Sequence, residues 1–360
     1  MSLSSYVTLG RSGLRVSPFT LGTMTFGADL GWGATPEESA RMLAAYLDRG
    51  GNSVDTANVY TNGHSEVIIG EYLAGRPGLR DRIVLGTKFF WNLRLGDPNG
   101  GGPGRKAVIQ QLENSLRRLQ TDYVDIYWLH NFDPVTPAEE TLRVLDDLVT
   151  AGKVRYVGFS DLPAWATAEA ATIARLRGWA PVIALQLEYS LLERTSEGEL
   201  IPMAQAMGMG VLPWGPLKSG FLSGKYASGA TGGVDAPRAA VVGAPNPEDY
   251  RVIDTVSEIA TEIGASPAAV ALAWVRGRPG VTSTLLGARR MDQFEANLAA
   301  LDLTLSPEDE ARLTEVSAPR LNFPAANIAT FARIAQNGGT TIDGIPTPPP
   351  PRQVLGDHVY

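Results

Sequence analysis

The chain has 360 residues, no cysteine and a net charge of −7 at pH 7, and these properties exclude several kinds of site. Without cysteine there is no disulfide and no thiolate metal site, and the three histidines, His64, His130 and His358, are too scattered to suggest a metal cluster. The acidic balance argues against a nucleic acid partner. The start has no apolar signal core and no run approaches the roughly 18 apolar residues of a membrane span, so we expect a soluble cytoplasmic protein with no membrane partner.

Short apolar segments recur along the chain with the composition of strands. The first two, "YVTLG" and "LRVSPF", are joined by "RSG" and predict a hairpin that closes the bottom of a barrel. Eight later segments are mostly apolar, rich in β-branched or aromatic residues, and end on polar or glycine residues. They cover residues 19–24, 52–57, 82–88, 124–130, 154–160, 182–189, 210–215 and 281–287.

Amphipathic stretches between these segments predict helices with recognisable N-termini. Thr35 and Thr136 are the predicted N-caps of two of them, each followed by a proline and by a glutamate that would complete a capping box. Asp161 and Asn246 are cap candidates for two more, and "LSPEDEARLTEVS" predicts an additional helix near the C-terminus.

Eight strands that each precede a helix, without a break in composition, predict an α/β fold of the (β/α)₈ TIM barrel type. A doubly wound sheet is the competing fold, but its G-x-G-x-x-G fingerprint is missing after the first strand, which reads "LGTMTFG". "SGFLSGKY" does not have the spacing of a phosphate-binding P-loop. We assign residues 1–318 to the barrel, with a long glycine-rich loop at 93–106. Residues 319–360 are predicted to form an extended loop and a proline-rich tail on or near the active-site face.

Four side chains with acid–base chemistry fall at one rim of this predicted barrel. Barrel active sites lie at the C-terminal ends of the strands. Asp55, Lys88 and His130 end the second, third and fourth strands, and Tyr60 follows in the loop after the second. Taken singly, each has an ordinary structural interpretation, as a turn residue, a solvated lysine, a satisfied histidine or a packing tyrosine. The barrel brings all four together, which favours a catalytic site.

The four residues form a proton-donating group. A tyrosine pKa near 10 is too high for easy proton exchange at neutrality, and a nearby lysine ammonium is expected to lower it. Burying Lys88 is costly unless Asp55 pairs with it. His130 is then placed to donate a hydrogen bond to a carbonyl oxygen beside Tyr60. The predicted chemistry is protonation of a carbonyl oxygen while its carbon is attacked.

These motifs closely resemble those of the aldo-keto reductases over residues 8–317. "VDTANVY", "GTK" and "LH" match the family's Asp-Tyr-Lys-His tetrad in order and spacing. The resemblance implies reduction of a small-molecule carbonyl compound by NADPH. It assigns Tyr60 as the general acid, Lys88 and Asp55 as the groups that tune it, and His130 as the residue that orients the substrate.

The resemblance also assigns a cofactor site along the barrel mouth. Ser160 and Gln186 match the carboxamide-binding residues, and Trp214 matches the aromatic that stacks on the nicotinamide. Asp161 replaces the usual Asn, and an ionised aspartate can only accept hydrogen bonds. The other matched positions are Asp55, Gly22, Thr23, Met24, Gly215, Pro216, Leu217, Ser219, Lys225, Gly287, Arg289, Gln293 and Asn297.

Arg289 carries the predicted preference for NADPH over NADH. Its guanidinium would make a charge-assisted contact with the 2′-phosphate of the adenosine. The alternative is a surface "ARR" pair at a helix start. At the substrate end, the resemblance implies a pocket for a bulky or partly apolar compound such as a keto-sugar, a polyketide or another multi-ring compound, lined by Phe26, Trp32, Trp91, Asn92 and Phe323.

Two other functions remain as alternatives, and no oligomeric state is predicted. In the first, the chain binds NADPH as a redox-sensing regulatory subunit with little turnover, because the cofactor positions are complete and the tail is atypical. In the second, Lys88 forms a Schiff base as in barrel lyases. Pairing with Asp55 keeps Lys88 charged and argues against the second.

Overall fold

The computed structural model describes residues 1–226 and 245–350; the end of the predicted proline-rich tail, residues 351–360, lies outside the described residues. Eight parallel strands form one sheet, and hydrogen-bonded neighbours follow chain order from the first strand to the seventh, with the eighth beside the first. The predicted barrel is thereby confirmed. Its strands are β3 (Phe19–Gly22), β4 (Ser53–Asp55), β5 (Val84–Phe89), β6 (Val124–Leu129), β7 (Val154–Ser160), β8 (Val182–Glu188), β9 (Gly210–Trp214) and β10 (Thr284–Leu286).

The barrel closes between β9 and the segment that leads into β10. The Thr282 N–H donates to the Val211 carbonyl at 2.8 Å, and Val211 forms a parallel bridge with Val281. Each of the other strands pairs with a neighbouring strand on both sides. The sheet is thereby closed, and the C-terminal ends of its strands form one continuous rim.

Each barrel strand is followed by at least one helix that covers its outer face, as the prediction requires. An additional helix near the C-terminus is also confirmed. The helices are α1 (Pro36–Asp48), α2 (His64–Ala74), α3 (Arg105–Leu119), α4 (Ala138–Thr150), α5 (Ala164–Arg177), α6 (Leu200–Met207), α7 (Pro247–Glu262), α8 (Pro267–Arg276), α9 (Met291–Leu298) and α10 (Pro307–Val316).

The predicted cap of α7 is confirmed and that of α1 is confirmed in part. Asn246 accepts from the first-turn amides of α7 in a full capping box. Thr35 accepts from the Glu38 N–H at 3.3 Å. Glu38 does not complete the predicted box, because its Oε1 instead accepts from the Met291 N–H at the start of α9, at 2.6 Å.

The predicted caps of α4 and α5 are wrong. Both helices begin after a proline without a side-chain cap. Thr136 donates its hydroxyl to Asp133, and Asp161 accepts from the Trp214 indole N–H. Each side chain therefore bonds a partner other than the helix amides next to it.

The N-terminal hairpin closes the bottom of the barrel, as predicted. Its strands, β1 (Val7–Thr8) and β2 (Arg15–Val16), pair antiparallel. Leu9 and Val16 are fully buried in a cluster with inward-facing barrel side chains. Gly10 has a φ of +56°, and a Cβ there would lie 2.3 Å from the Ile183 carbonyl oxygen and 2.8 Å from the Gly210 nitrogen. The hairpin tip therefore contacts the starts of two barrel strands too closely for any side chain.

The segment after α10 is more ordered than the predicted loop. It contains the short helices α11 (Ala325–Asn327) and α12 (Arg333–Asn337), separated by a single π-helical turn, and a small antiparallel ladder of β11 (Thr341–Ile342) with β12 (Ile345–Pro346). Along residues 1–226 and 245–350, the structure contains no helix with the length and apolarity of a membrane span.

Candidate active site

Lys88 connects the predicted catalytic residues. Its Nζ donates to Tyr60 Oη at 2.9 Å, to the Thr56 carbonyl at 2.9 Å and to Asp55 Oδ2. Lys88 and Asp55 are 1% and 2% exposed, so the ion pair has almost no solvent contact. Asp55 ends β4 opposite Gly86 of β5, and this register brings the Lys88 side chain against it.

The loop after β4 presents Tyr60 to this pair. Tyr60 begins a tight 3₁₀ turn in which Thr61 and Asn62 adopt left-handed conformations, with φ of 49° and 54°. The Thr61 hydroxyl donates to the Phe26 carbonyl at 2.7 Å, which ties the turn to the loop after β3. The fixed turn therefore holds the phenol at the strand ends.

His130 packs against the Tyr60 ring. It follows β6 directly, and its ring centre is 5.9 Å from the Tyr60 ring at an interplanar angle of 81°. Its Nδ1 is buried and has no hydrogen-bond partner among the described residues. All four predicted catalytic side chains are thus at one place in the structure.

Burial dominates the acid–base properties of this group. Burial, with a further contribution from Lys88, lowers the pKa of His130 to about 2, so the imidazole is neutral at physiological pH. Burial opposes the charge on Lys88, but the Asp55 and Tyr60 oxygens raise the pKa of the ammonium above its ordinary value. Burial raises the pKa of Asp55 although Lys88 acts against it.

Lys88 favours the Tyr60 phenolate, as predicted, but the phenol is not more acidic than an ordinary tyrosine. Burial raises the pKa of Tyr60 above its ordinary value, and the attraction of Lys88 offsets only part of this. The phenol is therefore held fully protonated.

One contact to Asp55 and one steric constraint beside it were not predicted. Gln186, assigned only to the cofactor, donates from Nε2 to Asp55 Oδ1 at 2.8 Å. A Cβ at Gly86 would lie 2.8 Å from Trp128 Nε1 and 3.2 Å from Asp55 Oδ1, so only glycine fits under the ion pair. The sequence does contain one signal for the Gln186 contact. Gln186 is a polar residue in the middle of the apolar β8 segment, and its side chain is on the inward face.

The predicted nicotinamide-side residues form a connected group next to the tetrad. Trp214 Nε1 donates to Asp161 Oδ1 at 2.9 Å, and Ser160 Oγ donates to Asp161 Oδ2 at 3.2 Å. Burial raises the pKa of Asp161, and the Trp214 and Ser160 hydrogen bonds oppose this. Asp161 adopts φ of 61°, a conformation that Asn and Asp tolerate better than most residues.

The loop after β9, which contains several predicted cofactor residues, is tightly turned. Gly215, Lys218, Ser219 and Gly220 all have positive φ, between 42° and 98°. The Lys218 and Gly220 amides donate to the Gly215 and Leu217 carbonyls, at 2.7 and 2.9 Å, and hold the loop in this shape. Pro216 and Leu217 complete the loop, and the predicted Lys225 lies just beyond it with an exposed side chain.

The predicted adenosine end is organised around the start of α9. The Arg289 N–H donates to Gln293 Oε1 at 3.3 Å, and Asn297 Nδ2 donates to the Gly287 carbonyl at 3.4 Å. Arg290 forms a salt bridge with Asp292 at 2.8 Å. Next to it, after β3, Thr23 is buried and donates its hydroxyl to the Asp55 carbonyl, whereas the side chain of Met24, two residues after Gly22, is about half exposed.

These residues leave room for an extended dinucleotide. The fit rests on the open glycine pair at the end of β3 and just after β10, where a Cβ at Gly287 would meet only the Gly22 carbonyl, at 3.6 Å. Within the described parts of the chain, no group of three His, Asp or Glu residues could hold a metal ion.

The predicted substrate residues occupy different environments. Trp91 is 48% exposed with its ring centre 6.5 Å from that of His130, which suits a pocket wall. Phe26 is 1% exposed and belongs to the hydrophobic core, and Trp32 is half-buried. The Asn92 side chain holds the glycine-rich loop through the Arg94 N–H and the Asp97 carbonyl. Phe323 lies in the wall of a cavity that also contacts Asp161.

Comparisons with known proteins identify similar proteins over most of the chain. The sequence matches the model of the Aldo/keto reductase family over residues 18–318. It is 36% identical to the uncharacterized oxidoreductase YrpG of Bacillus subtilis, over 86% of this chain and 95% of that protein. It is 36% identical to a probable voltage-gated potassium channel subunit beta of Oryza sativa, over 84% and 93% of the two chains. It is 34% identical to the norsolorinic acid reductase of Emericella nidulans, over 88% and 82%.

Proposed function

The chain belongs to the aldo/keto reductase family, and we propose that it reduces an aldehyde or ketone to an alcohol with NADPH, using Tyr60 as the general acid. The observation that carries this proposal is the Lys88 ammonium, which bonds both the Tyr60 oxygen and the buried Asp55 beside a neutral His130. This arrangement can donate a proton to a carbonyl oxygen and stabilise the phenolate that remains.

The protein's own groups account for the proton half of the reaction. When bound, a reduced nicotinamide supplies the hydride that the carbonyl carbon accepts. Tyr60 transfers its proton to the carbonyl oxygen, and the O–H bond broken in the phenol becomes the O–H bond of the alcohol. Lys88, at 2.9 Å, stabilises the phenolate, and the phenol then recovers a proton from solvent.

His130 orients the carbonyl group. Because its pKa is lowered to about 2, the imidazole donates a hydrogen bond as a neutral group and does not compete with Tyr60 as an acid. The exposed face of Trp91 beside it supports a substrate with an apolar or ring-containing part. Similarity to a relative named for reduction of norsolorinic acid supports the same substrate class.

Replacement of the proposed acid tests the function. We expect Tyr60→Phe to lower kcat for carbonyl reduction by about 100-fold or more, because general acid catalysis contributes at least about that factor. The dissociation constant of NADPH should change by less than about twofold. Turnover is followed by the loss of reduced-nicotinamide absorbance over a panel of aldehydes and ketones. Tyr6→Phe, which removes an exposed hydroxyl bonded to the Gly50 carbonyl, is the control. Full activity in Tyr60→Phe would reject the assignment.

The preference for NADPH is tested at the start of α9. We expect Arg289→Ala to weaken NADPH binding about tenfold or more and to leave NADH binding unchanged, because only NADPH carries the 2′-phosphate. Arg290→Ala is the matched control, since that guanidinium already bonds Asp292. Both constants are measured by fluorescence titration. Equal weakening of NADPH and NADH in Arg289→Ala would contradict the 2′-phosphate assignment.

A regulatory, cofactor-sensing role is the second candidate, because the similarity to a channel beta subunit is as high as that to YrpG. Tight NADPH binding with negligible turnover on every carbonyl compound, together with a stable protein partner, would favour it. The Schiff-base alternative is weaker. Asp55 and Tyr60 raise the pKa of Lys88, so its nitrogen has no free electron pair for attack.

A further inference from the structure

Two buried amide side chains connect the catalytic tetrad to the loop after β5. They are Asn58, two residues before Tyr60, and Gln111 on α3, and they are 1% and 5% exposed. Asn58 Nδ2 donates to Gln111 Oε1 at 2.8 Å, and we call these two residues the amide pair. The Asn58 main-chain N–H donates to the Lys88 carbonyl at 3.2 Å, so the amide pair is anchored at the catalytic group.

Main-chain groups of Phe90 and Trp91 are the other partners of the amide pair. The Phe90 N–H donates to Gln111 Oε1 at 2.9 Å, and Asn58 Nδ2 also donates to the Trp91 carbonyl at 3.1 Å. Because a main-chain N–H can only donate and a carbonyl can only accept, these contacts fix the orientation of both amides. Asn58 Oδ1 then has no hydrogen-bond partner among the described residues. The structure thus keeps both donor contacts of Asn58 although a buried oxygen is left unpaired.

The chain leaves β5 through a strained conformation at Phe90. Its φ is 136°, in a region that residues other than glycine rarely adopt. Strain of this kind persists only where the surrounding contacts hold it. Gln111 accepts from the Phe90 N–H, and the Gly102 N–H donates to the Phe90 carbonyl at 2.7 Å. A Cβ at Gly101 would lie 2.8 Å from that carbonyl oxygen, so this close approach requires glycine.

The strained turn determines where the Trp91 side chain lies. Trp91 follows it directly, is 48% exposed and has its ring centre 6.5 Å from that of His130. Residues 90–104 belong to neither a helix nor a strand, so the direction of Trp91 depends on contacts made at the start of this loop. The bond from Asn58 to the Trp91 carbonyl is one of these contacts.

We propose that Asn58 and Gln111 are positioning residues that fix Trp91 as a wall of the substrate pocket and thereby select ring-containing carbonyl compounds over small aliphatic ones. This inference rests on the proposed reductase function. Both amides are buried and act through the main chain of Phe90 and Trp91. An aromatic substrate gains a ring contact with a fixed Trp91 that a short aliphatic aldehyde does not make.

The same exchange of amide for carboxylate in each partner gives a matched pair of variants. Asn58→Asp removes both N–H donors, whereas Gln111→Glu keeps an oxygen that accepts from the Phe90 and Asn58 N–H groups. KM and kcat are measured for benzaldehyde and propanal at saturating NADPH. We expect Asn58→Asp to raise KM for benzaldehyde about threefold or more, the effect of one lost aromatic contact. KM for propanal and both kcat values should change by less than about twofold, as should every constant of Gln111→Glu. Asn58→Ala, which removes the donors without adding a charge, should behave as Asn58→Asp does.

A double-mutant cycle with Trp91→Ala separates positioning from a general effect on the fold. Trp91→Ala alone should raise KM for benzaldehyde at least as much as Asn58→Asp does. Adding Asn58→Asp to Trp91→Ala should raise it no further, because the positioned ring is already absent. Multiplying increases would overturn the proposal. An equal fall in kcat for both aldehydes in Asn58→Asp would also overturn it, since Asn58 would then act on Tyr60.

Hydrogen exchange of the main-chain amides at 89–102 tests the positioning without turnover. We expect exchange about tenfold faster in Asn58→Asp and Asn58→Ala, the effect of losing about one hydrogen bond that holds the loop, and native rates in Gln111→Glu. If the native protein reduces no carbonyl compound, the reductase proposal fails, and this measurement still tests the amide pair. Native exchange rates in both Asn58 variants would overturn the positioning role whether or not the protein is a reductase.

Discussion

The Lys88–Asp55 ion pair has almost no solvent contact, so its effect on stability depends on both partners being present. We expect Lys88→Met to lower the free energy of unfolding by about 3–5 kcal/mol, because it leaves a buried carboxylate without a counter-charge. Asp55→Asn in the Lys88→Met background should recover part of this loss, since the remaining group is neutral. The free energies are measured by urea denaturation of the four proteins in the cycle. Strictly additive losses would show that the two charges are not coupled.

Single residues of the site were predictable where a strand end determines their position. Asp55, Lys88 and His130 follow apolar segments, and parallel strands bring such ends to one rim. The acidity of Tyr60 was not predictable, because the depth of burial that raises its pKa depends on the loops around it. The contact of Gln186 with Asp55 was not predictable either, because it joins β8 to β4 across the barrel and depends on the tertiary structure.

At the level of helices and strands, local sequence predicted which elements form but not all of their end contacts. The eight strands and the helices between them follow from apolar periodicity. Glu38 has the spacing of a capping box, yet its carboxylate bonds the Met291 amide of α9, more than 250 residues later in the chain. A tertiary partner outcompetes a local one there, and no pattern around Glu38 indicates it.

The N-terminal hairpin offers a test of close packing at the bottom of the barrel. We expect Gly10→Ala to lower the free energy of unfolding by about 2–4 kcal/mol, because the new Cβ would overlap the Ile183 carbonyl and the backbone requires positive φ. Gly13→Ala, in the same hairpin, is the matched control, since a Cβ there has no neighbour within 4 Å and its φ is not positive. Urea denaturation compares the two variants. Equal stability of both would show that the hairpin does not pack tightly in solution.

For the whole molecule, the repeat of strand and helix was enough to predict the barrel, and the segment after α10 shows where that reasoning ends. Residues 319–350 have neither a long apolar run nor a sustained period, so the short helices α11 and α12 and the β11–β12 ladder gave little signal. The cavity beside Asp161 was equally unpredictable, because its walls come from β7, β8, α5, α6 and this C-terminal segment together.

Buried His130 gives the whole fold a dependence on pH whose sign can be derived. In the unfolded chain a histidine gains a proton near pH 6.5, whereas burial and Lys88 lower the pKa of His130 to about 2 in the folded protein. Between these values the unfolded state binds more protons, so the stabilising contribution is complete above about pH 6.5 and is lost as the pH falls.

We therefore expect the free energy of unfolding of the native protein to fall more steeply between pH 7 and pH 5 than that of His130→Gln, which has no titrating group at this position. The difference in slope should approach about 1.4 kcal/mol per pH unit at the acid end of this range. Asp55 and Asp161, whose pKa values burial raises, act in the opposite direction but are present in both proteins, so their contributions largely cancel in the comparison. Urea denaturation at several pH values measures both slopes. Parallel profiles would mean that His130 accepts a proton in the folded state, and a charged imidazole beside Lys88 could then donate protons in competition with Tyr60.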